Sequence, residues 1–378
     1  MLPLLLAVCF LLCACSEEPV PATTTVQTAP TETTATTVPS IPDATYQAPM
    51  IVLSVPTVTE ESYSDNNTLV FSYTTQNFSL ILPDPQVAEA VTIDYMNRVD
   101  FSNSAANSVY EAALTAFPQS EDWTPYFYNE LYSPQRLDQV VLSLYGAETL
   151  YDGSPRSTSV AVSLNYDLLT GTPLEEITQV LAEDYSAEKL CQLITDELKP
   201  LADAGTLFID YEYIISDMFT TNYPVTNWYF SKQGLCFFFT PYEIAPYNAG
   251  TITVVLPYEA LNGMIKDAYF PMEQPALYGT AKAAPYSADT QYAQLAEVIL
   301  DGDASRYTIS TDGALFDVRL VCAGENVSDS EITVLAAATL CKGDGIILQC
   351  NESTLARLSL SYVAGGDVVV TPLSALIP

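Results

Sequence analysis

The 378-residue sequence contains no histidine. Imidazole is the general base of Ser-His-Asp and Cys-His catalytic sites and a common zinc ligand, so its absence excludes both kinds of catalysis and every His-containing zinc site. An enzyme with this sequence would have to use carboxylates, Tyr, Lys or Cys. We predict a protein that is not an enzyme and holds neither a metal nor a cofactor.

Basic residues are also scarce. Twelve Lys and Arg stand against 46 Asp and Glu, which gives a formal net charge of -34 and a pI near 4.1. Such a surface repels DNA, RNA and anionic lipid and attracts cationic partners. The composition therefore argues against nucleic-acid binding and permits a basic protein as the partner.

The apolar run at the N-terminus, residues 1–14, is too short for an ordinary transmembrane helix but matches the apolar region of a signal peptide. It leads into Leu12-Cys13-Ala14-Cys15, which resembles the bacterial lipobox, whose last cysteine is acylated after cleavage. The resemblance implies that Cys15 is lipidated. Because the positive charges that usually precede the apolar region are missing, we expect the coding sequence to begin upstream of Met1.

Residues 15–56 are rich in Thr and Pro, as in VPATTTVQTAPTETTATTVPSIP from residue 20. This composition has too little apolar area to fold, which predicts a disordered tether. Together with a lipidated Cys15, it predicts a bacterial cell-surface protein anchored to the outer face of the cytoplasmic membrane.

Periodicity places the rest of the chain in the α+β class, with mixed and antiparallel sheets, packed helices and a small β-rich C-terminal domain. Asp84-Pro85 is typical of a helix start, and Ser159-Val-Ala-Val-Ser-Leu-Asn-Tyr166 alternates as a strand does. The predicted domains are residues 57–182, 183–272 and 283–378. The predicted helices are 86–99 with a second stretch to 116, 173–181, 187–201, 211–218 and 291–300.

Near the C-terminus, Gly343-Asp344 predicts a two-residue hairpin turn that pairs Cys341 with Ile346. That register would keep Cys341 too far from Cys350 for a disulfide, and a bond from Cys322 to either remains an open alternative.

One stretch carries a family resemblance: NWYFSKQGLCFFFTPYEIAPYNAGTITVVLPYEAL, from Asn227 to Leu261. It resembles the extracytoplasmic domain of RsiV-type anti-sigma factors, where that domain senses lysozyme, and of PdaC-type peptidoglycan deacetylases. NYDLLTGTPLEEI, Asn165 to Ile177, resembles the domain that usually precedes it. The resemblance covers about residues 69–268 and implies a binding or sensing module at residues 183–272.

The chain departs from that family in two respects. Many relatives carry a Gly-Gly-Ala-His type loop, whereas this chain has Tyr151-Asp152-Gly153-Ser154-Pro155-Arg156. Neither a sigma-binding segment nor a deacetylase module is present, so the resemblance implies the sensing part alone.

Glu243 is the central residue of the signature, between two Pro-Tyr pairs. Because Pro241 and Pro246 donate no backbone hydrogen bond, we predict that Glu243 accepts amide hydrogen bonds within its own loop. Direct contact with a ligand and catalysis are the alternatives. Tyr242, Tyr247 and Trp228 are candidate ligand-binding residues with Glu243, although aromatic residues of a sheet are more often core.

Two further patterns have ordinary explanations. Asp210 with Glu212, and Glu175 with Glu176, would serve a glycosidase only across a cleft, and solvated charges explain them more simply. Residues 301–312 resemble a calcium loop, but Arg306 occupies the position that needs glycine.

The leading hypothesis is therefore a membrane-anchored extracytoplasmic binding protein that recognises a cell-envelope component or a basic secreted protein such as lysozyme. A carboxylate-dependent cell-wall glycan hydrolase is the alternative. A third possibility is a passive scaffold that acts through its C-terminal domain.

Overall fold

The computed structural model describes residues 48–377 except 55–56, 64–66, 120–121, 222–223, 272–278, 303, 324–330 and 365–366. Cys15 and most of the predicted tether lie outside the described residues. Helices and mostly antiparallel sheets alternate along the chain, which confirms the α+β class. Within the described ranges, none of the helices combines the length and apolar character that a bilayer crossing requires.

The elements are numbered in chain order. The α-helices are α1 (Pro85–Ala116), α2 (Ala187–Asp203), α3 (Tyr211–Thr220) and α4 (Glu352–Leu355). The strands are β1 (Met50–Leu53), β2 (Thr57–Tyr63), β3 (Thr68–Thr75), β4 (Phe78–Ile81), β5 (Tyr126–Leu137), β6 (Val141–Tyr151), β7 (Thr158–Asp167), β8 (Thr172–Pro173), β9 (Trp228–Phe230), β10 (Gly234–Phe239), β11 (Ile252–Pro257), β12 (Ala281–Pro285), β13 (Leu295–Ile299), β14 (Ser305–Thr311), β15 (Leu315–Cys322), β16 (Ile332–Leu340), β17 (Gly345–Cys350), β18 (Leu358–Ala364) and β19 (Asp367–Pro372).

The first sheet has the order β2-β3-β5-β6-β7-β8, and α1 packs across it. Asp84 caps α1 by accepting a hydrogen bond from the Gln86 amide (2.9 Å), and Pro85 occupies the first turn. The helix is continuous for 32 residues, whereas two helical stretches are predicted. One apolar stripe runs along its length, because its buried residues recur every three, four or seven positions: Val87, Val91, Tyr95, Ser102, Ala106, Val109 and Ala113.

The signature sequence forms a second sheet with the order β11-β10-β9. All six residues of the middle strand β10 are buried, as expected for a uniformly apolar strand covered on both faces. Leu190, Ile194 and Leu198 of α2 pack into the same core. Residues 173–181, predicted as a helix, contain only a short 3₁₀ turn at Ile177–Gln179.

Arg136 joins the first sheet to the signature region. Only 4% of this residue is exposed, and its Nε atom donates to Asp138 (2.6 Å). Its Nη1 atom donates to the Tyr258 hydroxyl (2.8 Å) and the Tyr269 carbonyl (2.6 Å), and its guanidinium lies 5.1 Å from the Phe230 ring centre. A buried guanidinium needs such partners, so this contact fixes the position of the signature sheet beside β5.

Two further sheets share the C-terminal core: β19-β18-β15-β16-β1-β4 and β12-β14-β17-β13. The first of them includes β1 and β4, which precede residue 82, so its pairing crosses the boundary predicted at residue 283. β1 lies between β16 and β4 and is almost completely buried. The prediction that residues 15–56 are disordered is therefore wrong for Met50–Leu53.

Two local predictions in this region are also wrong. Residues 291–300 do not form a helix, since β13 lies there and pairs with β17 in parallel. Its buried Ala296 and Val298 alternate with exposed neighbours, which is the period of a strand. The predicted hairpin at Gly343-Asp344 does not form either, because β16 and β17 belong to different sheets. The five described cysteines are all thiols.

We expect a chain that begins at Ser54 to be much less stable than one that begins at Gln47. The shorter chain lacks β1, whose Met50, Ile51 and Leu53 are buried, and at roughly 1.5 to 3 kcal/mol per side chain this costs about 5 to 9 kcal/mol. That is comparable with the whole stability of a domain. Thermal unfolding followed by circular dichroism measures the difference, and equal melting temperatures would contradict the role of β1.

We also expect stability to fall as the pH rises from about 10 to 12. Burial raises the pKa of Tyr258 and of Tyr269 to about 12, whereas an unfolded tyrosine ionises near pH 10. The folded state therefore keeps protons that the unfolded state loses, and this stabilising contribution is complete below pH 10 and lost through pH 12. Denaturant titrations across this range should show a shallower loss for Tyr269→Phe, with the exposed Tyr213→Phe as the unchanged control.

Candidate functional site

The loop between β10 and β11 carries the residues that the sequence singles out. Ile244 and Ala245 are buried and anchor its middle to the core. Backbone hydrogen bonds close it on itself, from the Tyr242 amide to the Ala245 carbonyl (3.0 Å) and from the Gly250 amide to the Tyr247 carbonyl (3.1 Å). These contacts give the loop a defined conformation, and we call it the signature loop.

Glu243 braces the signature loop from inside. Its Oε2 atom accepts a hydrogen bond from the Thr240 amide, and its Oε1 atom accepts one from the Asn227 side chain (3.2 Å). These are the contacts expected of an internal acceptor. Glu243 also lines a cavity of about 300 Å³ together with Met218 and Phe239, so a ligand contact by this residue stays a prediction.

Tyr242 and Tyr247 form an aromatic pair on the outside of the loop, with ring centres 5.7 Å apart. Tyr242 is 68% exposed, and its φ of 74° is unusual for a residue other than glycine. The Arg156 guanidinium lies 5.4 Å from the Tyr247 ring centre, and the Tyr247 hydroxyl donates to the Ser157 carbonyl (3.3 Å). The segment that replaces the histidine loop of relatives therefore contacts the signature loop.

The connection between α2 and α3 lies on another side of the signature loop, because the Phe208 amide donates to the Ile244 carbonyl (2.9 Å). Ile209 is fully exposed and Tyr213 is 72% exposed. The carboxylates of Asp210 and Glu212 are exposed between them. We use the name aromatic-acidic face for the exposed residues on these two sides of the signature loop: Ile209, Asp210, Glu212 and Tyr213 at the start of α3, and Tyr242 and Tyr247 of the loop itself.

Sequence reasoning missed the contributions of Ile209, Tyr213 and Arg156. An apolar residue next to acidic ones indicates a binding surface only if it is known to be exposed. Periodicity does not show this for Tyr213, because in a short helix it fits the buried face and the exposed face equally well. The contact of Arg156 with Tyr247 joins residues 91 positions apart, which local sequence patterns do not report.

Trp228 is not a surface ligand residue. None of it is exposed, its indole Nε1 atom donates to the Glu175 carbonyl (3.1 Å), and its ring packs edge-on against Phe230. The prediction that Trp228 contacts a ligand is therefore wrong, because β9 directs this side chain into the core.

The structure separates the other candidate groups. Asp210 precedes α3 and Glu212 lies in its first turn, so they do not share a strand face. Glu176 caps a 3₁₀ turn together with Gln179. The segment that resembles a calcium loop contains β14, and the Asp312 carboxylate binds Lys282 (3.0 Å). Across the described residues, no three Asp, Glu or Cys side chains are arranged to hold a metal.

These features describe an α+β protein whose candidate site is a braced surface loop. Residues 167–259 match the family model described as Protein of unknown function (DUF3298). The chain therefore contains a DUF3298 domain, which holds α2, α3 and the signature loop. Among curated proteins none matches this chain.

Two crystal structures of DUF3298 family members are similar to this chain. The protein from Bacteroides fragilis is 16% identical, with 58% of this chain and 94% of that chain covered and a TM-score of 0.41. The protein from Pseudomonas aeruginosa is 12% identical, with 61% of this chain and 100% of that chain covered and a TM-score of 0.42.

We expect Glu243→Ala to lower the free energy of unfolding by about 1 to 3 kcal/mol, because the Thr240 amide and the Asn227 side chain both lose their acceptor. Glu243→Gln keeps an acceptor oxygen and should lose less. The exposed Glu259→Ala is the matched control for the lost charge. Denaturant titration measures all three variants, and a loss no larger for Glu243→Ala than for Glu259→Ala would exclude the bracing role.

Proposed function

We propose that the protein is an extracytoplasmic binding lipoprotein that captures a cationic secreted protein of the lysozyme type at the bacterial cell surface. The resemblance of residues 227–261 to the lysozyme-sensing domain of RsiV-type anti-sigma factors supports this proposal. Acylation at Cys15 would hold the protein at the outer face of the cytoplasmic membrane.

The use of charge in the fold supports a cationic partner. Within the described residues, seven of the twelve basic residues form ion pairs with carboxylates of the same chain. Because the sequence has 46 acidic residues and only 12 basic ones, one-to-one pairing could balance only a minority of the carboxylates. A strong negative field of this kind raises the rate at which a basic protein arrives and makes that rate sensitive to salt.

The aromatic-acidic face is the observation that carries the proposal. Tyrosine is enriched in binding hot spots because it supplies a large, rigid contact area at a low entropic cost. Tyr242 is exposed on a loop that is braced from within by Glu243, so its position is set before a partner arrives. Exposed carboxylates of Asp210 and Glu212 flank the apolar contacts, as a basic partner requires.

Calorimetric titration with lysozyme tests the proposal. We expect binding that weakens as salt is raised, with Tyr242→Ala and Tyr213→Ala each raising Kd by about tenfold or more. Phe101→Ala, which removes another exposed aromatic ring on α1, is the control and should bind lysozyme normally. Two outcomes would each refute the proposal: absence of salt-sensitive binding to lysozyme and to other basic wall hydrolases, or equal effects of the control and the loop variants.

A further inference from the structure

A cleft of about 410 Å³ lies between α1 and the strands β7 and β8. Its volume falls within the range of small-molecule sites in proteins, roughly 300 to 1,000 Å³. The residues that line it come from α1, from β7, from the segment after β8 and from Thr226: Asp94, Asn97, Arg98, Ser163, Leu164, Asn165, Tyr166, Pro173, Leu174, Glu175 and Thr226.

The floor of the cleft is held rigidly by hydrogen bonds. The Ser163 hydroxyl (2.7 Å) and the Asn165 amide (3.1 Å) both donate to the Trp228 carbonyl. The Ser143 hydroxyl donates to the Asn165 side-chain oxygen (2.5 Å). These groups are satisfied within the protein, so they shape the site and leave recognition to other residues.

Polar groups around the floor are placed for a ligand. The Tyr166 hydroxyl donates to the Asp94 Oδ2 atom (3.0 Å), which orients the carboxylate, and within the described residues the Oδ1 atom accepts no hydrogen bond. Asn97, Glu175 and Thr226 are exposed at the cleft. Carboxylates accept, whereas an amide and a hydroxyl also donate, so the cleft offers both kinds of partner.

Apolar surface accompanies these polar groups. Leu164, Pro173 and Leu174 lie in the lining. Phe101 follows Asn97 by one helical turn on the same side of α1, and the guanidinium of Arg98 lies 5.4 Å from its ring centre. Phe101 is nevertheless 61% exposed, so an aromatic ring beside Arg98, a residue of the lining, is open to solvent.

This combination selects among ligand classes. An anion would be repelled by Asp94 and Glu175. A small cation only donates hydrogen bonds and has no apolar surface to pack against Leu164, Pro173 and Leu174. The one cation in the lining, Arg98, is already paired with Glu130 (2.7 Å). Sugar hydroxyls donate and accept, and the apolar face of a sugar ring packs on an aromatic face.

We infer that this cleft binds a neutral glycan, with Phe101 packing against a sugar ring and Asp94, Asn97 and Glu175 binding its hydroxyl or acetamido groups. The inference is independent of the protein-binding function proposed above, because it uses a different surface. It would give the protein two ligands, a glycan at α1 and a basic protein at the signature loop.

Titration of the full chain with an uncharged β-1,4-linked N-acetylglucosamine tetramer, followed by calorimetry and by amide chemical shifts, tests the inference. We expect saturable binding that Phe101→Ala, Asn97→Ala and Asp94→Asn each weaken by about tenfold or more. Asn97 and Phe101 are exposed, so these two variants should fold normally.

Met96→Ala, exposed on the far side of α1, and Tyr242→Ala, on the aromatic-acidic face, are the controls and should bind the tetramer normally. The inference would be overturned by the absence of saturable binding at millimolar tetramer. Equal weakening by Met96→Ala, or tighter binding of the cationic glucosamine tetramer, would also overturn it. Lysozyme binding is measured in a separate titration, so the absence of tetramer binding would not affect the test of lysozyme binding, and the reverse also holds.

Discussion

The buried guanidinium of Arg136 is the contact on which the arrangement of the protein depends. It belongs to β5 of the first sheet, yet its Nη1 atom donates hydrogen bonds to Tyr258 and Tyr269, more than 120 residues later. Removing one partner of a buried charge costs on the order of 3 to 5 kcal/mol, because the other is left without compensation. The signature sheet is therefore held in one position, and the position of the signature loop that projects from it is fixed before a partner binds.

Other basic residues also join separate elements of the fold. Because they are few and are used in these contacts, the surface stays acidic. Arg98 ties α1 to Glu130 of the first sheet (2.7 Å). Lys232 pairs with Asp317 of β15, and Arg319 donates to the Gln135 carbonyl (3.1 Å), which together fasten the C-terminal sheet to the rest. These three basic residues join separate elements, and the excess of carboxylates provides the field for a cationic partner.

The signature loop shows how far local reasoning reaches. Two prolines remove amide donors, so the role of Glu243 as an acceptor follows from the residues around it, and the structure has those bonds. Tyr242 and Trp228 are both aromatic residues of the same motif, and nothing local distinguishes them. Trp228 packs into the core that the signature sheet shares with α2 and α3, whereas Tyr242 lies on the outside of the signature loop.

Local patterns in the sequence predict the α+β class, the helix start at Asp84-Pro85, the strand at Ser159–Tyr166 and the acidic character, because caps, alternation and charge depend on neighbouring residues. Long-range contacts place Met50–Leu53 in a C-terminal sheet and make β13 a strand. They also bring Asp94 of α1 and Glu175 into the lining of one cleft. Those outcomes depend on partners far away in sequence. Their pairing buries apolar surface away from water, and no pattern of neighbouring residues predicts which segments will pair.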